Sequence, residues 1–229
     1  MTLPGGWLSA VWPFVHGHLP PAPARVLEVG CGSGGGFVPE LRRAGYEAAG
    51  IDPEAPDAPG FHRIEFERYK PPQPVAAVVA SNSLHHVGDL DETAGRVCEA
   101  LRPDGVVVVV EWAWERFDEA TARWCFGRLA GDGEGGWLRR RRDDWAASGD
   151  PWDAYFPAWA ANHGLHKSRD VVRCLDARFI RRAYAEGPNF FPDLVGTAQA
   201  DEQAAIDAGQ IRATGIRYVG SPRSEDETG

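Results

Sequence analysis

An apolar run that ends in an acid and a burst of glycines constrains this chain more than any other stretch. It reads Arg25-Val26-Leu27-Glu28-Val29-Gly30-Cys31-Gly32-Ser33-Gly34-Gly35-Gly36. A helix-like segment, Phe37 to Ala44, follows it. The local order is therefore strand, tight turn, helix, the opening unit of a βαβ sheet. Glycine in such a turn lets a ligand approach bare backbone and permits φ > 0 at low steric cost. Gly30-x-Gly32-x-x-Gly35 fits the dinucleotide fingerprint, and Asp52 falls about 20 residues on, where a ribose-binding acid belongs. The turn is read as the binding loop for a nucleoside-bearing cofactor.

The rest of the chain supports one α/β unit. Its 229 residues are enough for a substantial core in a single large domain. The formal charge of −9 opposes a nucleic-acid backbone, so nucleic acid is not an expected partner. Cys31, Cys98, Cys125 and Cys174 are scattered without a Cys-x-x-Cys pair, which points to buried free thiols and not to zinc or disulfides. No basic flank precedes an uninterrupted apolar stretch, and no apolar run is long enough to span a bilayer. A cytoplasmic location is the expectation; the oligomeric state is open.

Read in order, Gly6 to His18 is an amphipathic leading helix stopped by Pro20, Pro21 and Pro23. Tyr46 to Ile51 is a second short strand ending at Asp52-Pro53, and Phe61 to Phe66 a third. Val75 to Ala80 is apolar throughout, as in a strand buried on both faces, and runs into Ser81-Asn82-Ser83-Leu84-His85-His86. Asp89 caps a helix that extends to Leu101, with Pro103-Asp104-Gly105 closing it. Val106 to Val110, the most apolar strand, belongs near the sheet centre and leads to Glu111-Trp112-Ala113-Trp114. Strands alternating with helices in this way call for a mostly parallel sheet.

Beyond residue 115 the pattern changes. Five tryptophans (Trp124, Trp137, Trp145, Trp152, Trp159) fall in helical stretches interrupted by glycines and by the basic run Arg139 to Arg142. These stretches are read as a helical cap over the carboxyl ends of the strands, with the arginines on a solvated face. Arg178 to Phe191 reads as a strand, Ala198 to Ala208 as a helix and Ala213 to Val219 as the last strand. The expectation is one domain over 1–229. Its core covers about 20–114 and 178–220, a cap is inserted at about 115–177, and a charged tail covers 221–229.

Three features separate this loop from a nicotinamide site. Glu28 stands two residues before the first glycine, the fourth strand ends in polar residues, and no second mononucleotide-binding half follows. Val26 to Gly34 resembles the glycine-rich motif of class I S-adenosylmethionine-dependent methyltransferases. Ile51-Asp52 is similar to that family's ribose-binding acid, and Val78 to Val87 and Gly105 to Trp112 resemble its fourth and fifth strands in the small-molecule branch. The closing Gly215 to Gly220 is also similar to that branch. The resemblance implies a Rossmann-like three-layer sandwich, mostly parallel, with an antiparallel last strand.

The same resemblance assigns the cofactor residues. Gly30 and Gly32, with Cys31 between them, would offer backbone to the methionine part of S-adenosylmethionine. Glu28 would bind its ammonium, directly or through water, and Asp52, next to Pro53, would hold the ribose diol. Glu65 or Phe66 would meet adenine, and Ser81 and Asn82 would line the floor beneath the sulfonium. His86 and His166 are the candidate general bases. No metal site is expected. The implied activity is methyl transfer to an oxygen, nitrogen or carbon of a small apolar or aromatic organic acceptor. An NAD-dependent oxidoreductase and a non-catalytic cofactor-binding scaffold are the rival readings.

Overall fold

The computed structural model describes residues 6–130 and 136–223, so the tail beyond 223 and the glycines at 131, 133 and 135 lie outside the described residues. Seven strands form one sheet: β1 (Arg25–Val29), β2 (Glu47–Ile51), β3 (Phe61–His62), β4 (Val75–Ser81), β5 (Leu101–Trp112), β6 (Phe179–Gly187) and β7 (Gly215–Pro222). The spatial order is β3-β2-β1-β4-β5-β7-β6. β1 to β5 run parallel, whereas β7 pairs antiparallel with both β5 and β6. The expected parallel sheet with an antiparallel last strand is what the chain forms. β5 lies inside the sheet, one place off its middle.

Strand side chains alternate between faces, and the two faces carry separate cores. Val26, Ala77, Val79, Val108 and Val110 meet α1 (Gly6–Gly17) and α2 (Val38–Arg43) through Val11, Val15, Phe37, Val38 and Leu41. Leu27, Val29, Val78, Ala80, Val107 and Val109 meet α3 (Leu90–Ala100) and α7 (Ser168–Arg178) through Leu90, Val97, Val171 and Leu175. That makes three layers. Asp89 caps α3 as expected, accepting the Glu92 amide at 2.9 Å. α7 packs on α3 in the sheet's own helical layer, so the part of the cap that leaves this layer is α4 (Glu119–Phe126), α5 (Trp137–Ser148) and α6 (Trp152–Asn162).

Two expected boundaries change. The third strand is only two residues long, because Ile64 already bonds back to the His62 carbonyl at 3.1 Å and Phe66–Arg68 coils into a 3-10 turn. β5 begins at Leu101, so Pro103-Asp104-Gly105 lies within the strand, where its pairing with β4 is irregular. α8 (Gln199–Asp207) completes the described elements. A third cluster, with Trp112, Trp114, Phe117, Leu138, Trp152 and Phe156, sits over the carboxyl end of β5 and fills the cap. Among the described residues no helix is long and apolar enough to cross a membrane.

Candidate active site

Val29 is in register with Ala80, so the segments leaving β1 and β4 run side by side. Gly30 and Cys31 donate to the Ile51 carbonyl at 2.8 and 3.3 Å, which ties the loop to β2 as well. At Gly30, φ is +79°, and a Cβ there would stand 2.1 Å from the Ser83 Cβ. Ser83 itself donates from Oγ to the Val29 carbonyl at 3.0 Å. The glycine at 30 therefore makes room for the chain's own next loop, in place of the ligand approach expected there. Gly32 is the open position: φ is +61° and nothing lies within 4 Å of where its Cβ would be. Its amide donates to Asp52 Oδ2 at 3.0 Å, while Asp52 Oδ1 accepts from the Glu54 amide at 2.8 Å.

The Glu28 carboxylate is fully buried and Oε2 accepts the Phe37 and Val38 amides at 2.7 and 3.1 Å, at the start of α2. It braces the glycine turn from inside, and its buried Oε1 has no partner among the described residues. Burial outweighs those two amide bonds and pushes its carboxyl up to about 8. Cys31 is likewise turned inward, its Sγ close to the space above Gly50, and burial pushes its thiol up to about 12. Phe66 packs into the core beside Leu27 and Ile51, which removes its ring from the crevice, whereas Glu65 and Pro53 remain exposed. Ser81 is buried at the end of β4. Asn82 adopts φ +47°, its amide donates to the Val110 carbonyl at 2.9 Å, and its buried Oδ1 has no partner.

Beside Asn82, on the β4 and β5 side, a cavity of about 540 Å³ lies beneath the cap. Trp112, Trp137, Trp159 and Phe190 give it aromatic walls, and His85, His86 and His163 border it. His85 is a candidate that the sequence reading did not select. Its Nδ1 is 2.5 Å from Glu111 Oε1, and both side chains are almost wholly buried. Glu111 also accepts the Leu84 and Trp112 amides at 2.9 and 2.8 Å, so three donors converge on it. A carboxylate only accepts, so Nδ1 carries the proton; His85 Nε2 has no protein partner among the described residues.

The two histidines selected from sequence fare differently. His86 is on the cavity wall with its ring 4.1 Å from that of His85, and burial together with the His85 charge lowers its pKa. His166 is spent on structure. Its Nε2 donates to the Val87 carbonyl at 2.8 Å, its amide donates to the His85 carbonyl at 3.0 Å, and it is not on the cavity wall. The arginine run, read as a solvated face, in fact sends Arg140 and Arg141 to the cavity.

Comparison with known proteins settles the family. A family profile described as "Methyltransferase domain" matches residues 10–163. The chain is a class I S-adenosylmethionine-dependent methyltransferase. The fold agrees with solved structures at low identity. An S-adenosylmethionine-dependent methyltransferase from Mesorhizobium loti superposes with TM-score 0.55 at 20% identity, covering 93% of this chain and 97% of that one. Geranyl diphosphate C-methyltransferase from Streptomyces coelicolor A3(2) gives TM-score 0.54 at 16%, covering 94% and 80%. The N-methyltransferase NodS from Bradyrhizobium japonicum WM9 gives 0.51 at 13%, covering 93% and 85%. One curated relative, the non-reducing polyketide synthase pkiA of Emericella nidulans, is 34% identical over 118 residues; the match takes in 41% of this chain and spans 5% of that protein.

With the family assigned, the nicotinamide reading of the glycine loop falls away. The methyltransferase's own residues suit its cofactor. The backbone at Gly32 is open with the carboxylate of Asp52 beside it, and Asn82 Oδ1 is buried without a partner. A carboxylate accepts hydrogen bonds from a diol, and an amide oxygen suits a cation.

Proposed function

We propose that this methyltransferase acts on a small aromatic acceptor whose reacting O–H or C–H must first lose a proton, and that His85, oriented by Glu111, takes that proton. S-adenosylmethionine, when bound, supplies a methyl group on a sulfonium that is already a good leaving group. Gly32 and Asp52 hold its methionine and ribose parts, and Asn82 lies under the sulfonium. What the chain must add is placement, deprotonation and exclusion of water.

The observation that carries this reading is the 2.5 Å contact between His85 Nδ1 and Glu111 Oε1 on the wall of an aromatic cavity. With Nδ1–H fixed on a carboxylate, the neutral ring presents its lone pair at Nε2, and the buried carboxylate stabilises the imidazolium that forms. An aryl amine, neutral near pH 7, needs no base before it attacks, so among aromatic acceptors the dyad favours phenols and activated carbon acids. The rings of Trp112, Trp137 and Trp159 suit a planar acceptor by stacking and edge contacts.

The test is transfer of radiolabelled methyl to a panel of phenols, β-dicarbonyls and amines, by the wild type and by His85→Gln. The expected result is turnover on a phenol or carbon acid that falls about 10²–10⁴-fold in the variant, with unchanged affinity for S-adenosylhomocysteine. Undiminished turnover in His85→Gln, or turnover on amines alone, would overturn it.

A further inference from the structure

The basic run on α5 breaks the ordinary rules for a helix. The first turn contains no acid, Gly136 supplies no side-chain cap, and Arg139 to Arg142 crowd the amino end, where the backbone dipole is already positive. Helical spacing puts Trp137, Arg140 and Arg141 at i, i+3 and i+4 on one face, and all three line the cavity. Arg141 is largely buried, with 12% of its side chain exposed. Its guanidinium lies 4.6 Å from the Trp159 ring centroid and donates to Asp144 at 2.6 Å and to the Tyr155 hydroxyl at 3.3 Å. Its Nε remains buried without a partner.

A second, independent donor stands on the same wall. Trp112 is 8% exposed, lines the cavity, and its indole Nε1–H makes no hydrogen bond. Leaving a buried donor unsatisfied forfeits its hydrogen bond to water, so such groups are normally paired. Asp193 is the acid bordering the same space among the described residues, and burial holds its carboxyl above the usual carboxylate range. The wall thus carries two guanidinium groups, one of them paired with Asp144, and a buried indole donor inside an aromatic box, on a chain whose formal charge is −9.

From this we infer that the acceptor is an aromatic anion: a planar body between the tryptophans, with a carboxylate or phosphate received by Arg140 and Arg141 and an oxygen offered to Trp112 Nε1. The inference rests on the methyltransferase reading of the same cavity and adds the acceptor's chemical class. It also accounts for arginine instead of lysine here. A planar guanidinium both stacks on Trp159 and presents paired donors to a carboxylate.

Intrinsic tryptophan fluorescence of the protein saturated with S-adenosylhomocysteine reads binding without needing turnover. Matched pairs are titrated: 4-hydroxybenzoate against its methyl ester, 2-naphthoate against its methyl ester, and phenyl phosphate against phenol. The expected result is that the anion of at least one pair binds about tenfold tighter than its neutral partner. Arg140→Gln and Arg141→Gln should remove that preference and Arg141→Lys should keep part of it. A preference in the carboxylate pairs identifies the anion as a carboxylate, and one confined to phenyl phosphate identifies it as a phosphate. Near-UV circular dichroism and S-adenosylhomocysteine affinity should stay as in the wild type.

Neutral partners that bind as well as the anions, or anions that do not bind at all, would overturn the inference. So would arginine variants that keep the preference or weaken S-adenosylhomocysteine instead, since the arginines would then serve the cofactor. Failure here leaves the base assignment standing, because that depends on His85→Gln and a neutral acceptor can still be turned over.

Discussion

At the residue scale the base proposed above is the pair His85 and Glu111, and its polarity can be inverted without removing either side chain. Glu111→Gln keeps an oxygen for the Leu84 amide, which Oε2 accepts at 2.9 Å, and turns an amide N–H toward His85 in place of Oε1, leaving unpaired the Trp112 amide that shares Oε1 with His85. The ring then receives at Nδ1 and carries its proton at Nε2, the wrong tautomer for a base. Glu111→Gln is expected to bind S-adenosylhomocysteine normally and to lose turnover nearly as fully as His85→Gln. Normal turnover in steady-state assays of that variant would refute the orientation. The sequence marked the histidine pair but not which member points inward. Leu84–His86 is a single 3-10 turn, in which neighbouring side chains diverge by roughly a third of a revolution. Glu111 was legible only as the end of a strand. Its meaning comes from the register of β4 with β5, which pairs Ser81 with Val110 and brings Leu84 and His85 to it. The spacing of Trp137, Arg140 and Arg141 could have flagged the cavity face of α5, had the cap's position been known.

At the scale of elements, the glycine loop separates two roles that its motif merges. Gly30→Ala would place a methyl 2.1 Å from Ser83 Cβ on backbone at φ +79°, whereas Gly32→Ala meets open space at φ +61°. Both suffer the left-handed penalty, on the order of 1–2 kcal/mol. Only the first adds a collision. Thermal denaturation should show Gly30→Ala to be much the less stable. Isothermal titration should show Gly32→Ala folded yet weak for S-adenosylhomocysteine. Equal stability of the two would mean the loops are not in contact as described. The strands were legible because apolar runs of alternating face left no other arrangement. The third strand was overread because Phe61 to Phe66 carries β-formers whose backbone is diverted when Phe66 turns into the core. Only half of the setting of Glu28 was legible: a sequence shows that an acid precedes the glycines, not that one of its oxygens accepts the Phe37 and Val38 amides while the other stays unpartnered.

For the molecule as a whole, that same carboxyl couples stability to pH. Its ordinary value is 4.5 and the fold raises it to about 8, so the native state holds a proton that the unfolded chain releases. Below 4.5 both states are protonated and the group contributes no pH dependence; between 4.5 and about 8 stability falls as pH rises, and above that it levels off. The ligand-free protein should therefore lose melting temperature across this window. Glu28→Gln, which preserves an acceptor for the two amides, should flatten the profile. A wild-type curve that rises with pH over the same interval would contradict it. Other buried carboxyls such as Glu202, also raised by burial, act in the same sense, so the comparison with the variant isolates the share of Glu28.

Ser83 fills the hollow of Gly30 and bonds to the Val29 carbonyl at 3.0 Å, so the two turns form a single interlocked piece. A substitution that reshaped the catalytic turn would also disturb the cradle next to it, and neither can drift alone. Descendants of this scaffold that adopt new substrates would then inherit that piece intact. They would vary on α5 and α6, where a changed tryptophan or arginine redraws the chamber and leaves the adenosyl seat alone.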